Sequence, residues 1–341
     1  MRRSRVSLLV KQAYSEGRRL IAPLLGFPGI QLTKSSIKLA QQNFGEHYKV
    51  IKAIVERFSP DIVFPLMDLS VEANALGRFT VFPKDEPAAV YDKDFRLEDL
   101  ERLREIDISF DTRIIGYVET VKLMKLYLPP KIVRGAYVTG PFTLASLIMT
   151  SQNAINYILR SREAFRKVCD FAAEVISSYA KMLMAAGAQL ICILDPAAVI
   201  LSPSMFREFA APFMSRIVES CEYNNVDTVY HVCGNSMHLI DAIVEAGAHG
   251  LSLDSKYAGV RIGHVIRRVP EDVVIMGNIS PTVTMTYGRP EDVRREVLEL
   301  LGEMEPYQNF ILSTGCDLPQ NAPLENIETL FETARAHRAK K

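Results

Sequence analysis

The 341-residue sequence carries no surplus of either charge, since 40 Lys and Arg stand against 40 Asp and Glu. Without excess positive charge there is no overall field to gather phosphates, which argues against a nucleic-acid-binding protein. Long apolar runs are missing too. The most apolar region, residues 180–201, is broken by Lys181, Gln189, Asp195 and Pro196, too polar for the roughly 20 apolar residues that span a bilayer. The basic N-terminal segment holds only a short apolar stretch at residues 6–10, split by Ser7. That is brief for a secretory core, and no small-residue cleavage site follows it; the segment reads as a solvated first helix. Cysteine is scarce, five in all, and an odd number without a secretion signal fits a reducing, cytoplasmic setting. No repeat, low-complexity tract or linker divides the chain, so residues 1–341 are expected to form one domain.

What is present is alternation. Short β-rich runs at 131–139, 189–195, 227–233, 249–254, 273–278 and 309–315 alternate with amphipathic helical stretches, and runs at 20–25 and 62–68 bring the strand count to eight. Helix signals fall between them. Ser161 opens and Gly187 closes one helix, Ser202–Pro203 and Pro290 start others, and Pro323 introduces a last one running to about Arg338. Eight strands, nearly all followed by helices, predict an α/β fold of the (β/α)8 TIM-barrel kind with an N-terminal helical extension. The Pro-rich, strand-like segment 78–91 is expected to be a short hairpin excursion at the barrel mouth.

In such barrels reacting residues lie at the C-terminal ends of strands, and polar residues at strand starts stabilise the bottom. Asp61 and Asp227 begin strands and are assigned structural roles. Asp68, Asp195, His231, Cys233, Asp254, Asn278 and Cys316 end strands or lie just beyond. His231 and Cys233 are two apart on a strand, so both side chains point to one side, and Cys316 follows the last strand at the same end. One imidazole and two thiolates make a three-ligand zinc site of the catalytic kind, and sulfur disfavours magnesium or calcium. A His-x-Cys pair in an apolar strand equally fits a buried thiol beside a satisfied histidine. Cys169, Cys192 and Cys221 read as core thiols. His47 and His337 read as solvated helix residues, and Asn278 either bonds a ligand or caps its turn.

These residues also carry a resemblance. The block from Asp61 through Asp68 and Glu72 to Gly77, the Val138-Thr-Gly140-Pro141 block, Asp195 ahead of Leu201-Ser-Pro203, Gly277-Asn278, and Gly315-Cys316-Asp317-Leu-Pro319 resemble the uroporphyrinogen decarboxylase superfamily over nearly the whole chain. Decarboxylases of that superfamily hold the substrate carboxylates with an arginine-rich loop of the type MRQAGRY. The corresponding residues 22–30 contain no arginine. His231-x-Cys233 with Cys316 is instead similar to the H-x-C…C zinc motif of the methylcobamide:coenzyme M methyltransferases.

The resemblance implies a zinc-dependent methyltransferase with His231, Cys233 and Cys316 as metal ligands. Asp195 and Asp254 would tune or occupy the fourth position, or orient His231, and Asp68 matches the family's strand-two aspartate. Glu72 and Asn278 are expected on the cofactor side. The methyl-corrinoid would be supplied by a separate corrinoid-binding protein, and the second substrate would be a small-molecule methyl acceptor or donor, such as the thiol coenzyme M. Arg134, Lys256 and Arg261 are the candidates for holding a sulfonate. His231-Val-Cys-Gly234 contains part of a corrinoid-carrier DxHxxG motif, but Val229 replaces its aspartate, so the chain does not look like the carrier itself.

Overall fold

In a computed structural model, which describes residues 4–91 and 95–338, the β-rich runs become strands and the stretches between them helices. The strands are β1 (Leu20–Ile21), β2 (Ile62–Val63), β3 (Thr80–Val81), β4 (Ala89–Val90), β5 (Val133–Thr139), β6 (Leu190–Leu194), β7 (Asp227–Val232), β8 (Gly250–Leu253), β9 (Val274–Ile279) and β10 (Phe310–Thr314). Eight form one sheet in the order β1-β10-β9-β8-β7-β6-β5-β2, and its ladders are parallel. This is the expected α/β barrel. β3 and β4 pair antiparallel, which is the expected hairpin excursion.

The seam between β1 and β2 is closed by one residue. The Asp61 N–H donates to the Ile21 carbonyl at 2.9 Å, and Asp61 Oδ2 accepts from the Ile21 N–H at 2.8 Å. Its Oδ1 accepts from Arg18 at 3.0 Å. A strand-start aspartate therefore fastens the bottom of the barrel, as its position predicts.

Side chains alternate along the strands with a period of two. Leu190, Cys192, Leu194, Val229, Val274, Met276 and Ile311 fill the interior, while Ile191, Ile193, Tyr230, Val232, Ile275 and Leu312 pack outward against the helices. The N-terminal segment is not merely a solvated helix. Arg5–Ser15 is helical, and Val6, Val10 and Ala13, one helical stripe, join the interior cluster. Asp227 Oδ2 holds it there, accepting from Ser4 Oγ at 3.0 Å and the Val6 N–H at 2.6 Å. The predicted caps are present: Gly187, at φ 118°, ends Arg162–Ala186, and Ser202 Oγ accepts from the Met205 N–H. The last helix, Leu324–Ala336, stops short of Arg338 because His337 turns to extended backbone. Among the described residues no helix is long and apolar enough to cross a membrane.

His47 is another departure from expectation. It lies on the helix Phe44–Phe58 but is buried, with Nε2 accepting from the Leu66 N–H at 2.8 Å and the ring edge-on to Tyr117. It thus fixes the chain leaving β2. Burial, reinforced by the Arg113 charge, holds its pKa down at about 3. A histidine depressed this far stays neutral in the folded protein and protonates in the unfolded chain below its ordinary value near 6.5. Its contribution is fully present above about pH 6.5 and falls, by up to about 1.4 kcal/mol per pH unit, as pH drops toward 3. Urea denaturation between pH 7 and 4.5 is expected to show a steeper loss for the wild type than for His47→Gln, which keeps an acceptor but does not titrate. Equal slopes would mean that His47 is not buried neutral.

Candidate metal centre

β7 carries His231 as its second-last residue, and Cys233 follows directly. Cys316 stands two positions after β10. Their ligating atoms meet at the C-terminal face: His231 Nε2 lies 3.1 Å from Cys233 Sγ, the two sulfurs are 3.2 Å apart, and Cys316 Sγ is 3.6 Å from His231 Nε2. The sulfurs are too far apart for a disulfide, whose bond is about 2.0 Å, and both thiols are free. Among the described residues this is the one group of three or more His, Cys or carboxylate side chains converging closely enough to share an ion. Ligands at zinc bond lengths stand roughly 3.5–3.8 Å apart across a tetrahedral edge, so the three need open only slightly to accept one. The donor set fits zinc.

Neighbouring strands hold this triangle. His231 is paired with Ser252 in the β7–β8 register, and their side chains meet at 2.9 Å between Nδ1 and Oγ. That contact leaves Nε2 turned toward the sulfurs. Burial presses the His231 pKa down, but contact with Cys316 and the charges of Asp254 and Asp317 outweigh it, and the net shift is upward. The Cys316 thiol is pushed up, first by its hydrogen bond with Cys233 and then by burial.

The loops are fastened from behind. Gly234, with φ at +79°, makes the turn after Cys233, and its N–H donates to Asp254 Oδ2 at 2.7 Å. Asp254 Oδ1 accepts from the Ser255 N–H at 2.6 Å. Asn278 Nδ2 donates to the carbonyls of Asp254 and Val260 at 2.8 and 3.2 Å. At Gly315 a Cβ would stand 2.5 Å from the Ser255 nitrogen, so only glycine lets the Cys316 loop lie this close to the end of β8.

Three other sequence candidates point elsewhere. Asp195 is fully buried; its Oδ1 accepts from the Thr143 N–H and Oγ1 at 2.7 and 2.6 Å, and its Oδ2 from the Tyr230 hydroxyl at 2.7 Å. It neither joins the cluster nor orients the His231 ring, which has Ser252 instead. Gly140 exists to admit it, since a Cβ there would stand 2.3 Å from that of Asp195. Glu72 clamps the end of β5, accepting from the Thr139 N–H and hydroxyl at 2.7 and 2.9 Å, and burial pushes its pKa up to about 7. Asp68 accepts from Ser70, Gln41, Tyr117 and Arg113. It forms a buried ion pair with Arg113, whose guanidinium also covers Phe82 of the hairpin excursion at 4.7 Å. Buried charges of this kind are retained through their partners.

Ser252 and Asp317 were not singled out from the sequence. Asp317, next to Cys316, accepts from the Gly26 N–H at 3.4 Å through Oδ1, while its buried Oδ2 has no partner. Burial raises its pKa to about 7. It borders a cavity of about 800 Å³ at the barrel mouth, shared with Phe27, Ile37 and the hairpin tip at Asp85 and Glu86. A chemically reactive residue there would be found from sequence only as the neighbour of Cys316. Of the other cysteines, Cys169 and Cys221 lie in the helix-facing core and Cys192 in the barrel interior. Burial pushes the Cys221 thiol up to about 12. Because Asp68 is placed as a fastener, Arg113→Leu is expected to cost about 3–5 kcal/mol of stability by leaving it charged and unpaired. Urea unfolding measures this, and a loss below about 1 kcal/mol would show that the pair is dispensable.

Comparison with known proteins follows the same division. A family model described as Uroporphyrinogen decarboxylase (URO-D) matches residues 32–337. The chain is 25% identical over 257 residues to the methylcobamide:CoM methyltransferase MtbA of Methanosarcina acetivorans, covering 75% of this chain and 73% of that one. It is 26% identical over 294 residues to a uroporphyrinogen decarboxylase of Prochlorococcus marinus, covering 84% and 82%. A solved methyltransferase from Methanosarcina mazei superposes with a TM-score of 0.82 at 22% identity, over 93% of this chain and 94% of that one, and it shares the barrel fold. Nearly equal identity to two differently named proteins leaves the choice to the residues at the strand ends.

Proposed function

The chain belongs to the uroporphyrinogen decarboxylase family, and within it we propose a zinc-dependent methyltransferase. The methyl group moves between a corrinoid carried on a separate protein and a small molecule whose sulfur or leaving group sits at the metal. One observation carries the reading: His231 Nε2, Cys233 Sγ and Cys316 Sγ lie within 3.6 Å of one another at the end of a barrel where reacting groups are held. Zinc, when bound, supplies the charge that keeps a coordinated thiol deprotonated at neutral pH and able to displace a methyl group from cobalt.

The chain's own residues do the positioning. Ser252 holds Nδ1 of His231 so that Nε2 faces the sulfurs, the outer-shell device that sets a ligand's tautomer. Asp254 fixes the turn behind Cys233, and Asn278 fixes Asp254. Both act as supports rather than as ligands. The reducing setting that such thiols need accords with a cytoplasmic location and with cysteines that remain unpaired. The decarboxylase alternative is disfavoured at the mouth. A polyanionic tetrapyrrole needs counter-charges, and the described residues lining the cavity include no arginine or lysine.

Metal analysis tests the reading. The purified protein is expected to hold about one zinc per chain, which Cys316→Ala loses and Cys169→Ala keeps. Zinc unchanged in Cys316→Ala would remove that residue from the site, and a wild type without zinc would sink the proposal. A finer test is Ser252→Ala, expected to weaken zinc binding about 10- to 100-fold in chelator competition while leaving the unfolding midpoint close to that of the wild type.

A further inference from the structure

We infer that Tyr137 is the polar floor of the metal site, its hydroxyl placed to donate a hydrogen bond to the small molecule at the open metal position. The inference rests on the methyltransferase reading, which supplies both the metal and that molecule.

Strand register gives the place. Tyr137 is the fifth residue of β5 and belongs to the barrel-interior cluster. It is paired with Cys192 of β6, and Cys192 with Val229 of β7. His231 stands two residues beyond Val229 on the same face, so Tyr137 is rooted one pleat, about 6–7 Å, below the imidazole. The ring is held in one orientation. Phe64 stacks on it with centroids 4.7 Å apart and planes 16° from parallel. Phe64 in turn occupies the space left by Gly135, where a Cβ would stand 2.2 Å from its ring. Burial, then the charges of Asp317, Cys192 and Cys316, push the Tyr137 pKa well up. The hydroxyl end therefore faces the Cys316–Asp317 loop and keeps its proton at neutral pH.

The hydroxyl is also uncommitted. Tyr137 is only 8% exposed, yet among the described residues its hydroxyl has no hydrogen-bond partner. The buried Tyr230 and Tyr117 hydroxyls, by contrast, donate to Asp195 and Asp68 at 2.7 and 2.9 Å. Nor is the Tyr137 hydroxyl sealed off from solvent, as Asp317 Oδ2 is. A buried polar group without a partner is destabilising until one arrives. The stack on Phe64 needs only the ring, so the hydroxyl serves nothing that the fold contains. A sulfur at the metal carries negative charge, and a phenol O–H donating to it makes a charge-assisted hydrogen bond that fixes the direction in which the sulfur faces.

The test uses cobalt(II) in place of zinc, because its visible absorption reports a sulfur entering the coordination sphere. Wild type and Tyr137→Phe are each loaded with cobalt and titrated with 2-mercaptoethanol. The variant is expected to take up as much cobalt as the wild type and to bind the thiol about fivefold more weakly or worse. Its unfolding midpoint is expected to be equal or higher, since an unpartnered hydroxyl has been removed. Equal thiol affinity in the two cobalt-loaded proteins overturns this inference and leaves the metal reading intact. So does a lower unfolding midpoint in Tyr137→Phe, which would assign the hydroxyl to the fold, and so does thiol binding to neither protein. A wild type that takes up no cobalt sinks the metal reading itself, and this inference with it.

Discussion

Cys233 and Cys316 are 83 positions apart, and barrel closure is what brings their sulfurs to 3.2 Å. A parallel sheet ends all its strands on one face, and the ladders from β7 through β10 are in continuous register. The end of β10 is thereby fixed relative to the end of β7 without direct pairing between them. Gly315 completes the approach by removing the side chain that would otherwise strike the Asp254–Ser255 backbone. Loosening any of these elements would part the triangle before any ligand atom was changed.

Buried carboxylates are the second constraint. Each must be paired or hydrogen-bonded to remain in place, and the fold uses them as fasteners: Asp227 under the first helix, Glu72 on β5, Asp195 between Gly140 and Tyr230, and Asp68 on Arg113, with the half-buried Asp61 doing the same at the seam. Asp254 belongs to the same class, but what it fastens is the turn behind a proposed ligand. Asp317 stands apart. Beside Cys316 it keeps one buried oxygen without a donor, whereas the other carboxylates are consumed by the scaffold.

The barrel was legible because buried parallel strands read as short apolar runs between helix signals, and strand polarity then sorted top from bottom. His231-x-Cys233 was legible for the same reason, as a period-two pair at a strand end. The reading of the carboxylates went astray at the next step. A strand-end position says which face a residue serves, not which way its side chain turns, and Asp195 and Asp68 turn to partners that are 35 to 52 residues distant or reached across several elements. Ser252 was invisible because its meeting with His231 depends on the β7–β8 register. His47 looked solvated because it sits among charged residues on its helix, although the position itself falls on the stripe shared with Val50, Ile51 and Ile54.

One scaffold thus separates three tasks by position. The bottom and the interior hold the barrel closed, the strand ends hold the sulfur and imidazole donors, and the excursion between β3 and β4 brings Asp85 and Glu86 over the mouth. On the proposed function, changing the donors at the ends of β7 and β10 alters the chemistry and leaves the architecture standing. Similarity spread over the whole chain is dominated by the first task, which is why relatives of different named activity resemble this chain equally well.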